Sequence, residues 1–280
     1  MHNLLIIPLL LLQFNSVDRA FRNADYTGCE QALQQMLTQA EPGKESAEVL
    51  WRLSRVTLLL GDAAPDVKAQ RALYARGVEY ADRAIQEDPK NSEGYMWHSG
   101  NIGRDCTTRG LAEQAKASVI VQKDLLTILN KLGKASHCSA WHAMAELYWR
   151  HPFKSNDTAV NYARRCAATI PSDELRLVSC ILFADMLYER NWSAEKRAAQ
   201  ATANAEKFLS GKSITDKYAC YDGSDPNLPW LKTSLKEVSD REEAAAVIRY
   251  AQARYASFGD VPPAEQAEYK NLMDRSKKYL

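Results

Sequence analysis

Two runs of small side chains, each closed by a proline, constrain this chain more than any other feature. Gly77, Ala81, Ala84 and Pro89 are spaced 4, 3 and 5 residues apart, and Ala159, Ala163, Cys166 and Pro171 repeat those spacings. Helix positions three and four apart share one face, so each run is a slim stripe along which a neighbouring helix can approach closely. The proline cannot continue a helix and ends it, and a new helical pattern opens within three residues. The runs therefore predict helices packed in pairs, with the pairs repeated along the chain.

The remaining sequence agrees. Only 12 Gly and 10 Pro occur in 280 residues, and the dominant Ala, Leu, Glu, Lys and Arg lose little freedom in a helix. From Glu45 onward, Ala47, Leu50, Trp51, Ser54 and Leu58 follow the i, i+3, i+4, i+7 rule. Gly61 and Pro65 stop that helix, the next runs over about 67–87, and a third opens after the natural cap Asn91-Ser92. Further helices are predicted at about 109–132, 136–150, 156–170, 173–190, 193–210, 240–257 and 263–279, with a shorter pair at 17–24 and 26–40. No stretch alternates with period two, so sheet is not expected. The stretch 211–235 breaks the rhythm. Gly211, Gly223, Pro226 and Pro229 interrupt helices there, and Tyr218, Tyr221 and Trp230 are scattered among them. It reads either as a connecting loop whose aromatics pack on the helices or as a flap over a groove.

Leu4 to Phe14 is a nearly unbroken apolar stretch, too short for the roughly 20 residues that span a bilayer. It suits the apolar region of an export signal, although no Lys or Arg precedes it. Ser16 and Ala20 are the small residues at which cleavage could end. Residues 1–16 are therefore expected to be a signal peptide, 17–280 the helical domain, and the location periplasmic or extracellular. The competing reading is a first helix of the fold in a cytoplasmic protein, with Pro8 counting against a regular helix there.

The helix pairs resemble the tetratricopeptide repeat. Helix 136–150 supplies its large–small–aromatic pattern with Trp141, Ala145 and Tyr148. The two proline markers lie 82 residues apart, which gives repeats of about 41 residues against the usual ~34. A narrower resemblance runs through Glu48-Val49-Leu50-Trp51-Arg52-Leu53-Ser54-Arg55, Glu79-Tyr80-Ala81-Asp82-Arg83-Ala84 and Tyr95-Met96-Trp97. Over about 45–105, and again at 240–279, the chain is similar to the regulator of microtubule dynamics family, whose members associate with microtubules or organelle membranes. The expected fold is an all-α, tetratricopeptide-like α-solenoid of about five stacked hairpins, in one domain.

Function is expected to be binding rather than catalysis. No nucleophile elbow, phosphate loop, dinucleotide fingerprint or HExxH occurs, and no cofactor is called for. A net charge of +1 without runs of one sign gives no reason to expect nucleic acid. Cys138, His142 and Glu146 share a helix face, but i and i+8 stand about 12 Å apart, and four tetrahedral ligands cannot be assembled from them. Metal is not expected. Cys166 and Cys180 are placed on facing helices, as two buried thiols or, after export, as a disulfide. The repeat register puts Trp51, Arg55, Met96, Arg104, His142, Glu146 and Trp149 on a concave groove for a protein or peptide. The alternatives are a lipid or small-molecule carrier using that groove, and the cytoskeletal adaptor that the family resemblance implies.

Overall fold

A computed structural model describes the backbone of residues 6–151, 154–220 and 228–280. Tyr221, Gly223 and Pro226 of the irregular stretch, and the first residues of the apolar N-terminus, lie outside the described residues. Among the described residues the chain is all-α: thirteen α-helices, a π-helical turn and a short 3-10 turn, with no strand. It divides into two compact units. One runs to Asp124 and the other begins at Leu125, except that Pro262–Ala264 group with the first.

The first unit contains α1 (Ile6–Arg22), α2 (Tyr26–Leu37), α3 (Lys44–Asp62), α4 (Val67–Glu87), α5 (Ser92–Thr107) and most of α6 (Leu111–Leu126). Helix starts follow local chemistry. Asp66 caps α4 by accepting from the Ala69 amide, and Asn91 caps α5 by accepting from Glu93 and Gly94. Asp88 is extended, as the residue before a proline prefers, and so ends α4. Pairs α1/α2 and α3/α4 close as hairpins, and α4 also packs along α5. The slim stripe lies in that seam, with Gly77, Ala81 and Ala84 all buried. Ser54 on α3 donates to the Gly77 carbonyl at 2.7 Å, and the Asn101 amide of α5 donates to Ser54 Oγ at 3.0 Å. A Cβ at position 77 would fall on the Asn101 carboxamide.

Two features depart from the expected repeat. Pro8 does not stop α1, which runs through Ser16 and places Phe14 and Val17 in the core with Leu33, Met36, Val49, Leu53 and Val56. Helices α5 and α6 do not close into a hairpin comparable to α3/α4. Leu111, Val119 and Ile120 of α6 are exposed, so its outer part has no apolar stripe turned inward. His98 on α5 reaches the end of α6 instead, 2.6 Å from Asp124, and lies 3.3 Å from Asp82 of α4. Burial favours its neutral form, but the two carboxylates outweigh burial and raise its pKa.

The second unit contains α7 (Cys138–Arg150), α8 (Asn156–Ala168), α9 (Leu177–Arg190), α10 (Ala194–Ser210), α11 (Ile214–Ala219), α12 (Asp240–Ser257) and α13 (Pro263–Ser276). The π-helical turn Thr127–Lys131 meets α11, and Asn130 and Thr215 exchange hydrogen bonds there. Helices α7 and α8 form a hairpin, with Ala159, Ala163 and Cys166 buried in its seam. Strict pairing in chain order fails next: α9 takes α12 as its close neighbour, not α10. The reason is apolar surface. Helix α9 buries Leu177, Ile181, Phe183, Met186 and Leu187, and α12 answers with Ala244, Val247, Ile248 and Ala251, whereas α10 buries only Arg197.

Helix α12 is also tied by charge. Asp240 and Glu243, both fully buried in its first turn, receive three arginines. Arg164 of α8 grips Glu243 through two bonds of 2.9 and 2.8 Å. Arg190 of α9 grips Asp240 at 2.8 and 2.7 Å, and Arg197 of α10 reaches both carboxylates. The Trp230 indole adds a bond to Glu243 at 3.3 Å, which places this aromatic of the 211–235 stretch on the core. Burial alone would raise the Glu243 pKa, but Arg164 and Arg197 overcome it and push it down to about 2.

Two outcomes follow for stability. Gly77→Ala should cost about 1–3 kcal/mol in urea unfolding because the seam cannot admit the methyl. Gly103→Ala, with nothing within 4 Å of its added carbon, should be neutral or stabilising by about 0.5–1 kcal/mol. Equal effects would contradict the seam. Glu243→Gln should destabilise the second unit by roughly 3–5 kcal/mol by leaving buried guanidinium charge uncompensated. Because the folded pKa lies below the ordinary 4.5, the Glu243 contribution is present above that pH and is lost as pH falls toward about 2. Acid titration of unfolding, wild type against Glu243→Gln, should show the difference vanish across that window.

Candidate functional site

The expected groove residues separate into two groups, one in each unit. In the first unit, Trp51 belongs to the interior. It is 7% exposed, its indole donates to Glu48 at 3.0 Å, and it packs with Leu50, Ala84 and Trp97. Arg55 is occupied in holding α1. Its guanidinium lies 3.7 Å from the Phe21 ring centre and 2.9 Å from Asp18. Arg52 does the same beside it, stacked over Phe14 at 4.2 Å and over Trp51 at 4.1 Å. Met96 is half-buried. Arg104 is exposed and 3.4 Å from Asp62. Of the four groove residues expected on this unit, Met96 and Arg104 are the two not taken up by the interior or by holding α1.

The second unit brings its three together on one side of α7. His142 Nδ1 is 3.0 Å from Ser179 Oγ of α9, Glu146 pairs with Arg150 one turn on, and the Trp149 indole donates to Glu189 at 2.8 Å. Trp149 and Glu189 join Asp185, Tyr188, Arg275 and Lys278 around a recess of about 400 Å³. Asp185 anchors the C-terminal segment by accepting from Arg275 and from the Tyr279 hydroxyl. The Tyr188 ring carries Arg241 at 3.5 Å on one side and Lys278 at 4.6 Å. Aromatic rings and arginines, here Trp149, Tyr188 and Arg275, are enriched at binding surfaces, whereas Lys, Asp and Glu are depleted there. Sequence reasoning missed Asp185, Tyr188, Arg275 and Lys278. The i, i+3, i+4 set Asp185, Tyr188, Glu189 was legible as one face of α9, but nothing local ties it to a segment some 90 residues later.

A second cavity of about 470 Å³ lies among α8, α10 and α11, with Arg164, Arg190 and Arg197 on its floor. Those guanidinium groups are engaged by Asp240 and Glu243, so the floor is a structural ion-pair cluster. Among the described residues no group of three or more His, Cys, Asp or Glu side chains could hold a metal ion. Nor is any described helix long and apolar enough to cross a membrane.

Cys166 and Cys180 are both buried and neither is in a disulfide, the first of the two expected readings. Cys166 faces Cys138, with sulfurs 2.6 Å apart, rather than Cys180. Cys166 lies in the last turn of α8, and the antiparallel hairpin brings that turn to the first residue of α7. Cys180 stands one helix further on, fully buried in α9.

Trp51→Ala should cost about 3–5 kcal/mol, the range for a core tryptophan, and Trp149→Ala no more than about 1.5 kcal/mol. Urea unfolding of both variants checks this, and similar losses at the two positions would contradict the assignment.

No curated protein matches the chain. The family model of regulator of microtubule dynamics protein 1-3 matches residues 13–131, from the middle of α1 to the end of the π-helical turn. Over that part the chain is similar to this family, and throughout its described residues it is all-helical, which is consistent with a tetratricopeptide-like helical protein.

Proposed function

We propose that this chain is a non-enzymatic binding scaffold whose second unit holds a protein or peptide segment against the recess at Trp149. The observation that carries this is the pairing of two partly accessible aromatics, Trp149 and Tyr188, with both signs of charge at Asp185, Glu189, Arg275 and Lys278. A rigid ring gives contact area at small entropic cost, and the charges select orientation. Such a lining does not suit the acyl chain of a lipid, so the carrier reading gains no support from it.

A second reading is favoured by the family match: a cytoskeleton-associated adaptor, working through the first unit that the match covers. The two readings imply different compartments. Export is supported by the apolar stretch 4–14, and cleavage after Ser16 would start the chain at Val17. Retention is supported by Phe14, which is buried in the first unit and stacked under Arg52.

Affinity capture with the full chain and with Trp149→Ala/Lys278→Ala tests the scaffold reading. A partner retained by the wild type and reduced about tenfold or more by the double variant is expected. Equal capture by both would remove the recess from the account. Co-sedimentation with polymerised tubulin, unchanged by the double variant and abolished by changes at Met96 and Arg104, would establish the adaptor instead. Sequencing the N-terminus of the native protein decides the compartment: a start near Val17 supports export, and an intact Met1 supports the cytoplasm.

A further inference from the structure

The cysteine contact between α7 and α8 has properties that a pair of inert core thiols lacks. Cys138 is the first residue of α7, directly after the cap His137, so its sulfur sits at the positive end of a helix. Cys166 lies across the hairpin, its sulfur 2.6 Å away. Arg176 adds positive charge at the same end of α7, where its guanidinium donates to the Ser139 hydroxyl at 2.7 Å. Both cysteines are sheltered, at 4% and 1% exposure, so only a small reagent reaches them.

We propose that Cys138 and Cys166 form a two-electron redox pair, oxidised by a peroxide to a disulfide that clasps the open end of the α7/α8 hairpin. The roles of the two thiols differ. The contact with Cys166, together with Arg176, holds the Cys138 thiol below its usual pKa, whereas burial keeps the Cys166 thiol protonated. The Cys138 thiolate attacks one oxygen of hydrogen peroxide. The O–O bond breaks, an S–O bond forms, and the leaving hydroxide takes a proton as water. Cys166 sulfur then attacks Cys138 sulfur. The S–S bond forms as the S–O bond breaks, and the second water leaves with the Cys166 proton. Two thiols have lost two electrons, and one peroxide has become two waters. Reduction by a dithiol reverses the change.

The test is a non-reducing peptide map of the full-length chain, folded and reduced, after titration with hydrogen peroxide. A cross-linked peptide joining Cys138 to Cys166, with loss of two hydrogens from the intact mass and full reversal by dithiothreitol, is expected. Cys138→Ser should slow the loss of the Cys166 thiol about tenfold or more, since the nucleophile is gone. Cys180→Ala should leave the cross-link in place, which separates a real pairing from general damage to the core. A link between Cys166 and Cys180 would overturn the proposal. So would both thiols staying free to alkylate after unfolding, while the more accessible Cys106 and Cys220 are consumed.

Discussion

Each unit depends on how closely a central helix can approach its neighbours. In the first unit α4 is flanked by α3 and α5, and it fits because Gly77, Ala81 and Ala84 present almost no side chain to the seam. The approach at Gly77 is close enough that Ser54 and Asn101 bond across it, so the interior of the seam is polar and directional. In the second unit α8 plays the same part with Ala159, Ala163 and Cys166. Once two helices lie this close, the larger residues at their flanks must interdigitate, and the rest of each core follows from that packing. The cysteine pair is a consequence of the same geometry. A small residue late in α8 comes to lie against the first residue of α7, and in both positions that residue is cysteine.

Burial of apolar surface decides which helices pair after that. Outside the face that carries Asp185, Tyr188 and Glu189, helix α9 is apolar and requires a partner with a matching stripe. The next helix in the chain, α10, is rich in Ala, with Lys, Glu and other polar residues, and cannot supply one. The chain therefore travels through α10 and α11 before α12 arrives to cover α9. Long excursions of this kind leave the final docking weakly specified by hydrophobicity alone, and here charge adds specificity. Two carboxylates at the first turn of α12 are gripped by arginines from α8, α9 and α10, so α12 has one satisfactory register. The favourable position of acids at a helix N-terminus adds to the same arrangement.

Much of this was legible in the amino-acid order. Most helices fall where hydrophobic spacing and caps put them, since those signals act over a few residues, but α1 begins well before the expected 17–24 and α11 lies within the stretch read as a loop or flap. The slim stripes were visible for the same reason, and both are buried as their spacing implied. What could not be read locally was pairing across distance. The α9–α12 contact skips a helix, and chain rhythm alone favours α10. Trp51 was placed on a groove because it stands at a repeat position used for binding, but its indole turns inward to Glu48 and Trp97. Cys166 was matched with Cys180 on the assumption that one seam faces the next helix, whereas the hairpin delivers Cys138 first. Of the residues around the recess at Trp149, the repeat register named Trp149 alone. The α9 residues Asp185, Tyr188 and Glu189 and the C-terminal cations Arg275 and Lys278 join it only through tertiary folding.

The account stands most directly on the claim that α4 and α8 lie at the centres of their units while α10 lies outside. Amide hydrogen exchange resolved along the native chain tests it. The slowest exchange is predicted in α3, α4 and the inner turns of α5, and in α8, α9 and α12. Helix α10 and the outer half of α6 should exchange orders of magnitude faster, because little apolar surface holds them. Protection of α10 equal to that of α12 would contradict the architecture, since it would mean that α10, and not α12, covers α9.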